Sequence, residues 1–326
     1  MNRNNKLMNL QRFAGSDGIT HDNVVALMTE QSGEIINGVI AKSAVLSMGK
    51  RLKDMNSNTM AMPVQTAFVI PQVVGATGKK AVESAEWDKK VIYAGEIACL
   101  VPVKDADIAD ASYDIWSSVK EQLIDAFGAT IDRLVLAGGS DVPAGWPAGL
   151  IPMATDAGAV VTETGDLYAD LLGVDGAISK VEECGYDPNG YVGSTKMKAK
   201  LRGLRDENGY PIFLSSVQEA GNYTLNGNKV FIDKNGIMGT GNLLITGDFS
   251  KLVYSIRQDI TFSFSNSAVI TNSDGTVAHS SFEEDMTVLR AVMRLGYQVP
   301  NPVTMKKGKA DAATRFPFSV LKENNA

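Results

Sequence analysis

Apolar residues along this 326-residue chain change their spacing several times, and each change outlines an element. Residues 1–20 show no periodicity and carry Arg3, Lys6 and Arg12, the pattern of an extended arm. From Asp22 to Met55 apolar side chains recur at helical intervals (Val24, Val25, Leu27 and Met28, then Ile35, Ile36, Val39 and Ile40), which predicts one or two short helices. Pro63–Val74 is rich in Val, Ile and Phe, and Trp87–Val103 alternates through Val91, Tyr93, Ile97, Cys99, Val101 and Val103. With GATGKKAVESAE between them, the two read as one long hairpin with a charged, glycine-bearing tip. Twelve strand residues reach about 40 Å, and a hairpin standing alone is marginal in water. Something outside it has to cover it.

The strongest helical period runs from about Ser112 to Leu136, with Ile115, Trp116, Val119, Leu123, Phe127, Ile131, Leu134 and Val135 on one stripe. Asp114, Glu121, Asp125 and Asp132 fall largely outside that stripe and read as a solvated or interface face, not as catalytic carboxylates. Such a helix is about 37 Å long, and Gly138-Gly139 ends it. Beyond the loop SDVPAGWPAGLIP the pattern predicts a helix over Asp166–Cys184, a short strand at Tyr191-Val192 and a helix over Ser194–Arg205. The last carries Lys196, Lys198, Lys200, Arg202 and Arg205, a face that reads as solvated or subunit-facing, with phosphate binding as the alternative. Strands follow at Lys229–Asp233 and Leu243–Thr246, and residues 247–266 read as one long or bent strand. Phe282–Leu295 fits neither period cleanly, and RFPFSVLKENNA gives a short strand and a polar tail.

Composition narrows the class. Hydrophobic residues are 44% and charged residues 21%, with 31 Gly and 11 Pro, which excludes collagen-like and disordered chains and suggests two folded lobes. The net charge of -6 argues against a dedicated nucleic-acid binder. Two cysteines, Cys99 and Cys184, suggest neither a disulfide scaffold nor a secreted origin and fit a reducing place of synthesis. No apolar run matches a signal peptide or approaches the roughly 20 residues of a membrane span, so neither is expected.

Candidate chemistry is sparse. The two histidines, His21 and His279, lie near opposite ends of the chain, too few for a transition-metal site or a His-assisted nucleophile. Cys99, in EIACLVPV, reads as a small buried hydrophobe. VGATGKKA has Val73 where a phosphate loop needs its first glycine and Lys80 where it needs a hydroxyl, and GIMGTGNLL offers only Gly239 and Gly241 toward a dinucleotide fingerprint. Asp206–Gly209 and Asp233–Gly236 lack a full calcium loop and read as turns. No catalytic, cofactor-binding or metal site is expected.

The segments that give the chain its character are AKSAVLSMG at 41–49 before MPV at 62–64, KKVIYAGEIACLVPVKDADIADASYDIW at 89–116, LVLAGG at 134–139, PAGLIP at 147–152, GDFSKLVYSIRQDITFSFS at 247–265 and FEEDMTVLRAVMRLGYQVPNP at 282–302. In this order and spacing the whole chain resembles the major capsid proteins of tailed bacteriophages with the Hong Kong 97 fold. The resemblance implies an α+β structural protein with an N-terminal arm over 1–40, a connecting helical region over 41–62 and an extended E-loop hairpin over 63–103. It further implies a long spine helix with the start of a peripheral (P) domain over 104–152, an axial (A) domain over 153–249 and the rest of the P domain over 250–326. The implied role is self-assembly as pentamers and hexamers into an icosahedral shell around packaged double-stranded DNA, in the virion, after assembly in the bacterial host cytoplasm. The arm is too short for a scaffolding domain, so a separate scaffolding protein is expected, with a portal and a decoration protein as further partners. DNA contact is expected to be weak and non-specific, with no membrane partner. The alternatives are an encapsulin-like bacterial nanocompartment shell and, from another class, an α/β enzyme with its site among the glycine loops of 138–150 or 236–241.

Some members of that family cross-link an E-loop lysine to an asparagine of a neighbouring subunit, with a glutamate seven residues further on as base. Matching RLG at 294–296 to their Arg-Leu-Ala places Asp285 at the asparagine and Val292 at the glutamate. An ionised carboxylate is a poor acyl acceptor and valine takes no proton, so the shell is expected to lack cross-links even though Lys79, Lys80, Lys89 and Lys90 supply amines.

Overall fold

The computed structural model describes residues 38–69, 71, 73–74, 84–112, 115–205, 208 and 224–324. The expected arm, apart from residues 38–40, the hairpin tip from 75 to 83 and the turn at 206–209, apart from Asn208, lie outside the described residues. In chain order, a helical turn at 38–42 leads into α1 (Ala44–Met48), β1 (Lys50–Arg51), β2 (Thr59–Ala67), β3 (Glu86–Tyr93), β4 (Gly95–Lys104) and α2 (Asp105–Asp110). Next come α3 (Ile115–Leu136), α4 (Leu150–Asp156), β5 (Val160–Thr162), α5 (Leu167–Leu172), α6 (Ala177–Glu183), β6 (Gly190–Ser194) and α7 (Thr195–Gly203). The remainder is strand: β7 (Thr224–Leu225), β8 (Asn228–Asp233), β9 (Asn242–Gly247), β10 (Val253–Ser265), β11 (Val269–Thr271), β12 (Val277–Ser280), β13 (Met286–Gln298) and β14 (Phe318–Lys322). This is an α+β chain.

Two sheets carry the architecture. One has four strands in the order β1-β10-β13-β4, the other six in the order β5-β14-β9-β6-β8-β7. The long helix α3 buries Trp116, Val119, Leu123, Phe127, Ile131, Leu134 and Val135 in a core shared with Leu289, Ala291, Met293 and Leu295 of β13. That core also takes Val192 of β6, Ile245 of β9 and Val320 of β14, whereas their neighbours Tyr191, Leu244 and Leu321 join a second core under α5, α6 and α7. Alternation along each strand sends adjacent apolar residues to opposite faces, so the continuous apolar runs LLI and VL bury both sides of the six-stranded sheet. The order of the sequence and the order in space diverge here: β14, from the end of the chain, sits between β5 and β9. The six-stranded sheet therefore draws on residues from both sides of the expected 249/250 boundary.

Several expectations are corrected. The strand expected over Trp87–Val103 is two strands: β3 pairs with β2, while β4 turns away at Gly95 and pairs with β13 from Gly95↔Leu295 to Lys104↔Met286. Two apolar alternations followed one another without a polar gap, and nothing local marked the change of partner. The helix expected over Asp166–Cys184 is divided into α5 and α6 because the chain turns extended at Gly173 (ψ 173°) and restarts after Gly176; a Cβ on Gly173 would lie 2.5 Å from the Ala169 carbonyl oxygen, so the break takes a glycine. The acidic stretch at 105–110 forms the short helix α2, and the ambiguous segment at 282–295 contains β13, a strand.

The most informative correction is Asp132, which is 2% exposed and no part of a solvated face. The second half of α3 is enveloped on both sides because α1 crosses it. There the Asp132 carboxylate accepts hydrogen bonds from the Ser43 hydroxyl at 2.6 Å and from the backbone N–H groups of Ala44 at 2.8 Å and Val45 at 3.0 Å. Ser43 in turn caps α1 through the Leu46 N–H. Burial pushes Asp132 up to about 6, against the lowering by these three donors, and the Asp233 carboxylate adds to the rise.

Asp132→Ala leaves two backbone N–H groups and a hydroxyl without their acceptor, so it is expected to lower the stability of the unassembled chain by about 1–3 kcal/mol in urea unfolding. Because the folded carboxyl holds its proton more tightly than the unfolded one, its contribution is greatest below about pH 4 and is lost as pH rises through about 6. The gap between wild type and Asp132→Asn, which does not titrate, should therefore shift against the wild type between pH 4 and pH 6.5. A gap independent of pH across that window would contradict the raised carboxyl.

Candidate assembly interface

The β2–β3 hairpin pairs from Thr59↔Tyr93 to Ala67↔Glu86, a length of about 30 Å, and its paired strands fully bury only Val64 and Ile92. Ile92 joins Met55 and Val253 in a small satellite core with Met60 and Met62 packed against it. Trp87 is 63% exposed, and Val69 and Tyr93 are also open. A two-stranded sheet with so little cover is incomplete as a monomer.

Its root is held firmly. The indole N–H of Trp146 donates to the Tyr93 carbonyl at 2.8 Å, and Trp146 packs edge-on against Tyr297 with ring centroids 5.0 Å apart. Gly145 (φ 86°) lies so close that a Cβ there would be 2.6 Å from the Tyr93 ring, and a Cβ on Gly296 would be 2.3 Å from the Tyr93 carbonyl oxygen. Gln298 donates from Nε2 to the Val91 carbonyl, and Arg294 reaches Asn58. Further out, the loop after β13 touches the hairpin twice: Val303 N–H donates to the Gln65 carbonyl at 3.3 Å, and Lys309 pairs with Glu86 at 2.5 Å. The stretch SDVPAGWPAGLIP, a connecting loop by its pattern, thus braces the hairpin root. Its signal was a lone tryptophan among glycines and prolines, residues that allow close backbone approach.

The candidate chemical residues are scattered. Lys196 pairs with Glu323, and Lys200 with Glu163, so two charges of the basic α7 face are met by the chain's own carboxylates. Asp233 spends its carboxylate on the N–H groups of Asn235 and Met238, closing the turn that leads into the 236–241 loop. Among the described residues no group of three His, Cys, Asp or Glu side chains is placed to hold a metal. His279 pairs with Glu284 at 2.9 Å, and His21 lies outside the described residues. Cys99 and Cys184 are free thiols; Cys184 is buried, while Cys99 is half-buried on β4 with its thiol pushed up by burial. Asp285 is exposed at φ 46° just before β13, and Val292 lies within β13 between Thr261 and Ala98. Lys89 and Lys90 are exposed on β3; Lys79 and Lys80 lie outside the described residues. No helix of the described residues is long and apolar enough to cross a membrane.

A long helix laid across one sheet, a second sheet closed by the far end of the chain and a projecting hairpin define a shell-building subunit with the Hong Kong 97-like capsid fold. The chain belongs to the phage capsid family, whose model matches residues 24–310. It is 24% identical over 315 residues to a major capsid protein of Klebsiella oxytoca phage phiKO2, covering 92% of this chain and 70% of that protein. A major capsid protein of Staphylococcus phage 80alpha is also 24% identical, over 92% of this chain and 93% of its own length. Among solved structures, a chain from Microbacterium phage Oxtober96 superposes with a TM-score of 0.71 at 28% identity, covering 87% of this chain and 91% of that one. A chain from Mycobacterium phage Adephagia gives 0.72 at 25% identity with the same coverage. These relatives are phage proteins and not encapsulins, and the function they define is that of a major capsid protein of tailed phages.

Trp146→Phe keeps the ring packing and removes the hydrogen bond to Tyr93. It is expected to raise local opening of β2 and β3 roughly fivefold, about 1 kcal/mol, seen as faster amide exchange there with α3 and the six-stranded sheet unchanged. Equal acceleration throughout the chain would show that Trp146 supports the whole core and not the hairpin root.

Proposed function

We propose that the chain assembles as pentamers and hexamers that close into an icosahedral head shell around packaged double-stranded DNA. The observation that carries this reading is the hairpin: firmly rooted, about 30 Å long and without enough cover of its own, it needs the surface of a second copy. On this reading residues 1–40 are the arm, β2–β3 is the core of the E-loop and α3 is the spine. The four-stranded sheet then builds the P domain and the six-stranded sheet the A domain, with β14 returning from the P side to complete it. Function resides in subunit contacts, without catalysis or a cofactor. The acidic balance of the chain fits loose, non-specific contact with DNA. A separate scaffolding protein, a portal and a decoration protein complete the assembly in the host cytoplasm before the particle is released as a virion.

Removing residues 65–87 and joining Val64 to Asp88, its pairing partner, through an Asn-Gly turn preserves the root of the hairpin. The variant should remain folded by circular dichroism yet yield no closed particles in negative-stain microscopy. Particles as abundant and as heat-resistant as the parent's would show that the hairpin does not join subunits.

Asp285 and Val292 leave the acyl-acceptor and base positions of the cross-linking members empty, so shell strength on this reading is noncovalent. Mature shells boiled in detergent should run as a single band near 34.8 kDa. A ladder of covalent pentamers and hexamers would refute this.

A further inference from the structure

Three strands among the described residues are long and leave one edge unpaired: β2 with nine residues, β3 with eight and β4 with ten. The other free-edge strands, β1, β5, β7, β11 and β12, have two to four residues. A long free edge presents a row of N–H and C=O groups to any strand that meets it, and many copies of one chain packed together present the same edge to each other.

On β4 the register with β13 is continuous over all ten residues, so backbone groups point alternately toward β13 and away from it. Pro102 lies within that register opposite Val288, and a proline directed at β13 would break the ladder. Its parity is therefore the outward one, shared with Glu96, Ala98, Leu100 and Lys104. Among the described residues, Glu96, Ala98 and Leu100 make no backbone hydrogen bond outside the strand ladder, and Leu100 is 50% exposed. The outward row of β4 thus alternates N–H donors with C=O acceptors, lacks one donor at Pro102 and has a charged residue near each end. β2 repeats the device with Pro63, opposite Lys89, and β3 carries Glu86, Asp88, Lys89 and Lys90 among its eight residues.

We propose that Pro102 determines assembly specificity: by deleting one N–H from the outward row of β4, it prevents β4 of one copy from pairing with β4 of another and leaves association to the hairpin. The proposal rests on the shell reading, since it concerns which of two surfaces association uses. It predicts that the β4 edge stays unpaired in the free subunit.

The test uses the full chain and the variant Pro102→Thr, which restores the N–H with a strand-favouring side chain. In the unassembled parent, the amides of Ala98 and Leu100 should exchange at least tenfold faster than those of Cys99 and Val101, which point at β13. In Pro102→Thr, the same two amides should gain at least tenfold protection as concentration rises, and sedimentation should show open, irregular polymers replacing the parent's products. Ala98 and Leu100 already protected in the dispersed parent would overturn the proposal, and this measurement holds even where the variant fails to fold. A folded variant whose exchange and products match the parent's would overturn it as well. If the parent forms no particles under any condition, the shell reading fails, yet the exchange comparison on dispersed chain still decides the state of the edge.

Discussion

Burial of α3 is the constraint around which the other elements are arranged. Its stripe from Trp116 to Leu134 packs on the four-stranded sheet, and its second half is closed over by α1 and by residues of the six-stranded sheet. Each large apolar side chain so buried is worth about 1.5–3 kcal/mol, enough to draw together segments separated by most of the chain. Val45 and Leu46 near one end and Phe318 and Val320 near the other meet in the same core. The two sheets form one continuous body because this helix and its neighbours fill the space between them.

Five aspartates of this protein act as architecture. Asp132 seats α1, Asp166 caps α5 through the N–H groups of Tyr168 and Ala169, Asp170 holds Thr164 and Asp233 closes a turn. Asp248 accepts from the Ser250 N–H and hydroxyl at the entrance to β10. Each meets backbone donors that a bend or a helix start leaves unpaired, where a short anionic side chain fits best.

The hairpin stands in contrast to the body. Its root is fixed by the Trp146–Tyr93 bond and by glycines that admit the Tyr93 ring and backbone, while Trp87 on β3 and Val69 just beyond β2 are exposed. A rigid base with an uncovered blade transmits the orientation of one subunit to whatever covers the blade. Gly145 and Gly296, where a Cβ has no room beside Tyr93, fix that root.

Much of this was legible in local pattern. The stripe of α3, the strands at Tyr191-Val192 and Leu243–Thr246, the helix that starts after Ser194 and the need to cover the hairpin all follow from periods of 3.6 and 2, which are properties of neighbouring residues. Tertiary structure alone decided where partners changed. Trp87–Val103 reads as one alternation, but only the presence of β13 makes Gly95 the point at which the chain leaves β2 for another sheet. Asp132 lies off the apolar stripe, yet it is buried because α1, 88 residues earlier, brings its unpaired N–H groups to it. Pattern records which face of an element is apolar; which distant segment arrives to satisfy a polar group or an edge depends on long-range packing, and no short-range period contains it.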